Sequence, residues 1–208
     1  MTSVTMPKRI QSLPIDETWK LPVPWFVQWI DGKACFPVMD GHKWRKAVRN
    51  KLCWICGQPL GKVMAFVIGP MCGVNRTSAE PPCDLQCALY AAQTCPFLIT
   101  PKMKRMNVDH LNGVDPPGVA LKRNPGCCGV WVTKRYALIH TGQGPLIKIG
   151  EPQIVHWFAE GRTATRAEVQ ESIDSGLPIL QGMAAEEGQE AETELAIALK
   201  RLERWLPR

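Results

Sequence analysis

Two cysteine pairs carry the clearest chemistry in this 208-residue chain. Cys53-Trp54-Ile55-Cys56-Gly57 sets two thiols two residues apart, and Cys83-Asp84-Leu85-Gln86-Cys87 sets two more three residues apart, with 26 residues between the pairs. A two-residue gap lets both sulfurs of a turn reach one ion, and Gly57 permits the tight backbone that such a knuckle requires. Positions 83 and 87 stand one helical turn apart, so the spacing predicts both sulfurs on one face near a helix start, where the helix dipole favours thiolate. The expected chemistry is tetrahedral binding of structural Zn2+ by Cys53, Cys56, Cys83 and Cys87. Four thiolates close the coordination sphere and leave no position for an activated water. Cys72 and Cys95 are substitutes for Cys83. The competing reading is a set of reduced cysteines that only fill the core. Cys127 and Cys128 are adjacent and so poorly placed to share an ion, and Cys35 reads as a core residue of a strand.

Two catalytic readings are weaker. Val108-Asp109-His110-Leu111-Asn112-Gly113 resembles the strand end of HNH nucleases, with His110 as general base and Asp109 as a metal ligand. That fold needs a helix soon afterwards, whereas PPGVALKRNPGCCGVWVTKR reads as loop and then strand; the plain alternative for His110 is a loop imidazole. Glu80-Pro81-Pro82-Cys83 partly resembles zinc deaminases, but position 78 is Ser and the following cysteines are one residue too far apart, which excludes that chemistry.

Charge is distributed unevenly along the chain. Residues 1–150 hold 19 Lys and Arg against 8 Asp and Glu, and residues 151–208 hold 6 against 11. A basic body favours a polyanionic partner. Lys43, Arg45, Lys46, Arg49 and Lys51 concentrate that charge beside Trp19, Trp25, Trp29, Trp44 and Trp54, so cations for phosphate and rings for bases occur in one stretch. The opposing expectation is that the tryptophans pack inside and the cations form a solvated helix face.

The elements that must position these groups follow from local pattern. Residues 1–24, rich in Pro, read as an arm along the surface. Asp31-Gly32 between WFVQWI and KACFPV predicts a type I′ hairpin, and Asp40 caps a predicted helix through Asn50. Leu60 to Ile68 reads as strand, and a helix is expected from Cys83 until Cys95-Pro96 ends it. VWVT, YALI and PLIKI suggest a meander. Thr165-Arg166-Ala167-Glu168 is a capping box opening a helix that Gly176 should stop. Leu195, Leu199, Leu202 and Leu206 mark a last amphipathic helix, suited to a partner or, more simply, to covering an apolar face of its own chain.

Knuckle, hairpin and ligand-bearing helix in that order resemble a treble-clef zinc module. Beyond it, CWICGQPLG, AFVIGPMCGVNRTSAEPPC, CPFL, RNPG and GRTATRAEVQESIDSGLPIL are similar to an uncharacterised family of small proteins of bacteria and their phages, over most of residues 25–180. In that family a His often stands where Asp84 stands here, two residues before the Cys that matches Cys87. The resemblance implies zinc and a phage context, with Cys83 or Asp84 taking the place of the His.

The expected fold is therefore α+β: an arm (1–24), a hairpin, basic helix and zinc module (25–100), a long loop (101–128), a meander and helix (129–181), a linker (182–189) and an amphipathic helix (190–208). The expected function is a non-enzymatic accessory protein that binds nucleic acid or a nucleic-acid-handling protein. The alternatives are a phage protein that inhibits a host defence protein and, behind it, the nuclease. No apolar run approaches the roughly 20 residues of a membrane span, and MTSVTMPKRI lacks the apolar stretch of a secretory signal, which points to the host cytoplasm.

Overall fold

The structure, a computed structural model, describes residues 4–101, 124–142 and 144–208. Its first sheet is the hairpin β1 (Val27–Ile30) and β2 (Lys33–Met39), where Ile30 pairs with Lys33. Asp31 and Gly32 both have positive φ, 48° and 75°, as a type I′ turn demands. Helix α1 (Gly41–Asn50) follows, with the Asp40 carboxylate accepting from the backbone N–H groups of His42 and Lys43. Lys51, in the left-handed region, ends it.

The chain continues through β3 (Met64–Ile68), α2 (Pro70–Asn75), β4 (Thr77–Ser78), β5 (Cys83–Asp84), α3 (Leu85–Thr94) and α4 (Pro96–Ile99). Beyond residue 124 come β6 (Cys128–Thr133), β7 (Tyr136–Thr141), β8 (Gly144–Ile149), β9 (Pro152–Ala159), β10 (Arg162–Thr163), α5 (Arg166–Glu187) and α6 (Gln189–Glu203). The central sheet is antiparallel, in the order β10-β9-β6-β3-β5, and β4-β8-β7 form a separate antiparallel sheet. The expected mixed α+β class with antiparallel sheets is therefore present.

Strand β6 explains how the core divides. Every one of its residues is buried, and side chains alternate between sheet faces. Cys128, Val130 and Val132 enter a cluster with Trp54, Cys53, Cys56, Cys87 and Ala88, while Cys127 and Trp131 enter another with Ile147, Val169, Ile173 and Leu202. The knuckle and α3 thus lie on one side of the central sheet, and α2, α5, α6 and β8 on the other.

Several expectations change. The helix does not begin at Cys83: Cys83 belongs to β5, and Asp84 is the cap of α3, its carboxylate accepting from the Gln86 N–H at 3.1 Å. The three runs after residue 129 are no single meander, because β6 pairs with β3 and β9 and leaves β7 and β8 to the other sheet. Gly176 does not stop α5, which runs on through Pro178 to Glu187, so the linker shrinks to Gly188 at φ 101°. Burial of Gly176 within the helix packing offsets its weak intrinsic propensity. The arm is anchored in the core rather than laid along the surface, since Ile10 and Val23 are 1% and 2% exposed.

Candidate metal centre

The knuckle is built by backbone hydrogen bonds that fold residues 51–60 back on themselves. Cys53 N–H donates to the Gln58 carbonyl (2.7 Å), Gly57 N–H to Cys53 (2.8 Å) and Leu60 N–H to Lys51 (2.8 Å). Gly57 adopts φ 72°, a conformation that glycine takes without strain. Strands β3 and β5 pair antiparallel, Met64 with Asp84 and Ala65 with Cys83, and deliver the chain from the knuckle back to it. Asp84 then caps α3, so Cys87 stands in the first helical turn.

The Sγ atoms of Cys53, Cys56 and Cys87 all lie within 4.8 Å of one another, and all three residues are buried. Cys53 is the sulfur on which the hydrogen bonds of the group converge. Its thiol is held far below the ordinary range by donation from the thiols of Cys56, Cys83 and Cys87 and from the Asp84 backbone N–H; that last contact is 3.2 Å long, and Cys56 N–H adds another at 3.5 Å. Donating to Cys53 pushes the thiols of Cys56, Cys83 and Cys87 up, and burial adds to the rise. Thiol protons shared among sulfurs this close are protons that a cation can displace. This buried cluster is able to hold a metal ion.

Of the expected ligands, three meet directly. Cys83 stands beside Cys53, within thiol hydrogen-bond reach, but outside the mutually close three. The Asp84 carboxylate is committed elsewhere, to the α3 cap and to Arg9 Nη1 at 2.6 Å. Cys72 belongs to the core on the far side of the sheet, where burial pushes its thiol up to about 11. Cys95 closes α3 at its other end, eight residues and about 12 Å along the axis from Cys87. Cys127 and Cys128 face opposite sides of β6, burial pushes the Cys128 thiol up to about 12, and Cys35 is half-buried. Asp109 and His110 lie outside the described residues.

Arg9 is a neighbour that motif spacing does not reveal. Besides the Asp84 pair, its Nη2 donates to the Pro59 carbonyl of the knuckle. No local signal announces the pair with Asp84, which joins positions 75 residues apart.

The basic stretch divides by exposure. On α1, Arg45, Lys46 and Arg49 are exposed, as is Lys51 at its end, and none of the four makes an ion pair among the described residues. Lys43 turns inward: its Nζ donates to the Val27 carbonyl at 3.0 Å and stands 3.7 Å from Asp40. The tryptophans mostly pack. Trp54 is 1% exposed and stacks on Phe26, and Trp44 donates its indole N–H to the Ala79 carbonyl. Trp19 and Trp29 remain about half exposed.

No protein-family model, curated protein or solved structure matches the chain. Among the described residues, no helix is long and apolar enough to cross a membrane.

Proposed function

We propose that this chain is a non-enzymatic, zinc-binding accessory protein, phage or prophage encoded, that binds nucleic acid or a nucleic-acid-handling protein in the host cytoplasm. The carrying observation is the buried triad of Cys53, Cys56 and Cys87. Thiolates suit Zn2+, and a tetrahedron with Zn–S near 2.3 Å places its sulfurs about 3.8 Å apart, compatible with the spacing here. Cys83 supplies the fourth sulfur, since it already touches Cys53 while Asp84 is engaged by Arg9. The knuckle, the β3–β5 pair and a helix with a ligand in its first turn support a treble-clef-like module. A closed four-thiolate set holds zinc for structure and leaves no position for a reacting water.

The nucleic-acid part rests on Arg45, Lys46, Arg49 and Lys51, exposed and free of ion pairs among the described residues, with Trp19 and Trp29 as the rings open to stacking. The test has two measurements on the full chain: metal content of protein purified under reducing conditions without chelator, and binding to short labelled DNA and RNA over a range of salt. One zinc per chain and an affinity that falls linearly with salt on logarithmic axes are expected. Metal-free protein overturns the zinc reading; no binding even at low salt overturns the nucleic-acid reading and leaves a host protein as the partner.

A further inference from the structure

The N-terminal arm ends its approach to the metal centre in a cation. Ile10 is 1% exposed, and Val4, Met6 and Leu13 pack against the cluster that contains the cysteines. Gln58, inside the knuckle, donates its side-chain amide to the Arg9 carbonyl at 3.4 Å. The guanidinium spans two parts of the site: Nη2 reaches the Pro59 carbonyl of the knuckle, and Nη1 reaches the carboxylate that caps the helix bearing Cys87. Its Nε–H is buried without a hydrogen-bond partner.

Four thiolates around a divalent cation leave a net charge of about −2 in a site from which water is largely excluded. A guanidinium fixed between the Pro59 carbonyl and the Asp84 carboxylate, on the two elements that bear the sulfurs, offsets that charge. By holding the Asp84 carboxylate at 2.6 Å it also keeps that oxygen ligand, three residues before Cys87, away from the ion.

We propose that Arg9 is the positioning residue that locks the metal centre: it supplies the counter-charge for the thiolates, pins Asp84 outside the coordination sphere, and so couples docking of the N-terminal arm to metal retention. The proposal rests on the metal reading above. Coupling is reciprocal, so an arm that steadies the metal is itself steadied by the metal to the same degree in free energy. Removing the metal frees the knuckle and the start of α3, the two parts that Arg9 bridges, and the arm then loosens.

The test uses the full-length metal-loaded protein. Metal release to a chromogenic chelator is compared for wild type, Arg9→Gln and Arg9→Lys. Release about tenfold faster in Arg9→Gln, with Arg9→Lys between it and wild type, is expected for a coupling of ordinary size; rates within a factor of about two for all three overturn the proposal. In cobalt-loaded protein, sulfur-to-metal charge-transfer intensity reports the thiolate count, which Arg9→Gln lowers if Asp84 gains access to the ion. Should Arg9→Gln fail to fold, wild type alone decides. Hydrogen exchange at the amides of Ile10, Gln11 and Leu13, each bonded within the arm's own turn, accelerates when the metal is stripped, and unchanged exchange overturns the coupling. A wild-type protein that never carries metal sinks the metal reading itself, whereas one that carries metal indifferently to Arg9 sinks only this inference.

Discussion

The indole of Trp25 covers the α-carbon of Gly57, so closely that a β-carbon at position 57 would stand 2.7 to 2.8 Å from three atoms of the ring. The knuckle glycine therefore meets two demands, a left-handed backbone and an absent side chain. Trp25 backbone N–H also donates to the Ile55 carbonyl between Cys53 and Cys56 at 2.7 Å, and Lys43 Nζ stands 6.0 Å from the centre of the indole. Ring, turn and the first helix are thereby tied together.

Gly57→Ala separates the two demands when compared with Gly32→Ala. Gly32 has φ 75° and nothing within 4 Å of an added β-carbon. The backbone cost alone is about 1–2 kcal/mol for a left-handed alanine. Urea unfolding should show Gly32→Ala losing about that much and Gly57→Ala clearly more, with faster metal release. Equal losses would mean that the Trp25 contact yields without cost.

Metal removal tests the ligand set. Cys53→Ser, Cys56→Ser and Cys87→Ser should each lower bound zinc and melting temperature together, because binding energy at such a site is folding energy. Cys72→Ser and Cys95→Ser should keep one zinc per chain. Chelation should also collapse the near-ultraviolet dichroism of Trp25 and Trp54, which meet edge to face at 6.3 Å beside the ligands.

The exposed cations of α1 should set salt dependence without setting stability. Replacing Arg45, Lys46 and Arg49 together by Gln should reduce the slope of log affinity against log salt by about 0.9 for every duplex phosphate that the variant no longer neutralises, with melting temperature little changed. Lys43→Ala should behave the other way, losing stability with its bond to the Val27 carbonyl.

Acid should expose the capping box of α5. The guanidinium of Arg162 and both the N–H and hydroxyl of Thr165 hold the Glu168 carboxyl at about 2. A depressed carboxylate contributes stability above its unfolded value, about 4.3, and that contribution fades as pH falls toward the folded value. Glu168→Gln should therefore melt below wild type at neutral pH, and the gap should close as pH approaches about 2. Every other acid-sensitive group is common to both proteins, so the difference isolates Glu168. A gap independent of pH would mean that the carboxylate charge contributes nothing.

The last helix should prove to be internal packing. Leu202 is 2% exposed beside Gly73 and Trp131, and Trp157 donates its indole N–H to the Trp205 carbonyl at 2.7 Å. Leu202→Ala should cost about 2–5 kcal/mol in urea unfolding, as a buried truncation does. A change within about 0.5 kcal/mol would show that α6 is held loosely enough to serve a partner.

Signals carried by a few neighbouring residues are legible in the chain. Asp31-Gly32 defines its turn because both residues accept positive φ, Asp40 and Thr165 define caps because their side chains reach N–H groups two or three residues on, and Cys53-x-x-Cys56-Gly57 defines a knuckle. Features that depend on distant partners are not legible in this way. The apolar run of β6 does not say that β9, rather than β7, pairs with it; Gly176 and Pro178 argue locally against a helix that packing sustains. The spacing of Cys83 and Cys87 suggests one helix for both, yet pairing with β3 holds Cys83 in a strand and the helix begins after Asp84.

The same division holds at the metal centre. By itself the sequence determined the knuckle and the chemical type of the site, because thiols two residues apart on a glycine turn need only the backbone between them. Tertiary structure alone decided that Cys87 completes the close triad, that Cys72 and Cys95 lie elsewhere, and that Asp84 pairs with Arg9. Those outcomes depend on how β3, β5 and the arm pack across as many as 75 residues, and no local spacing carries that information.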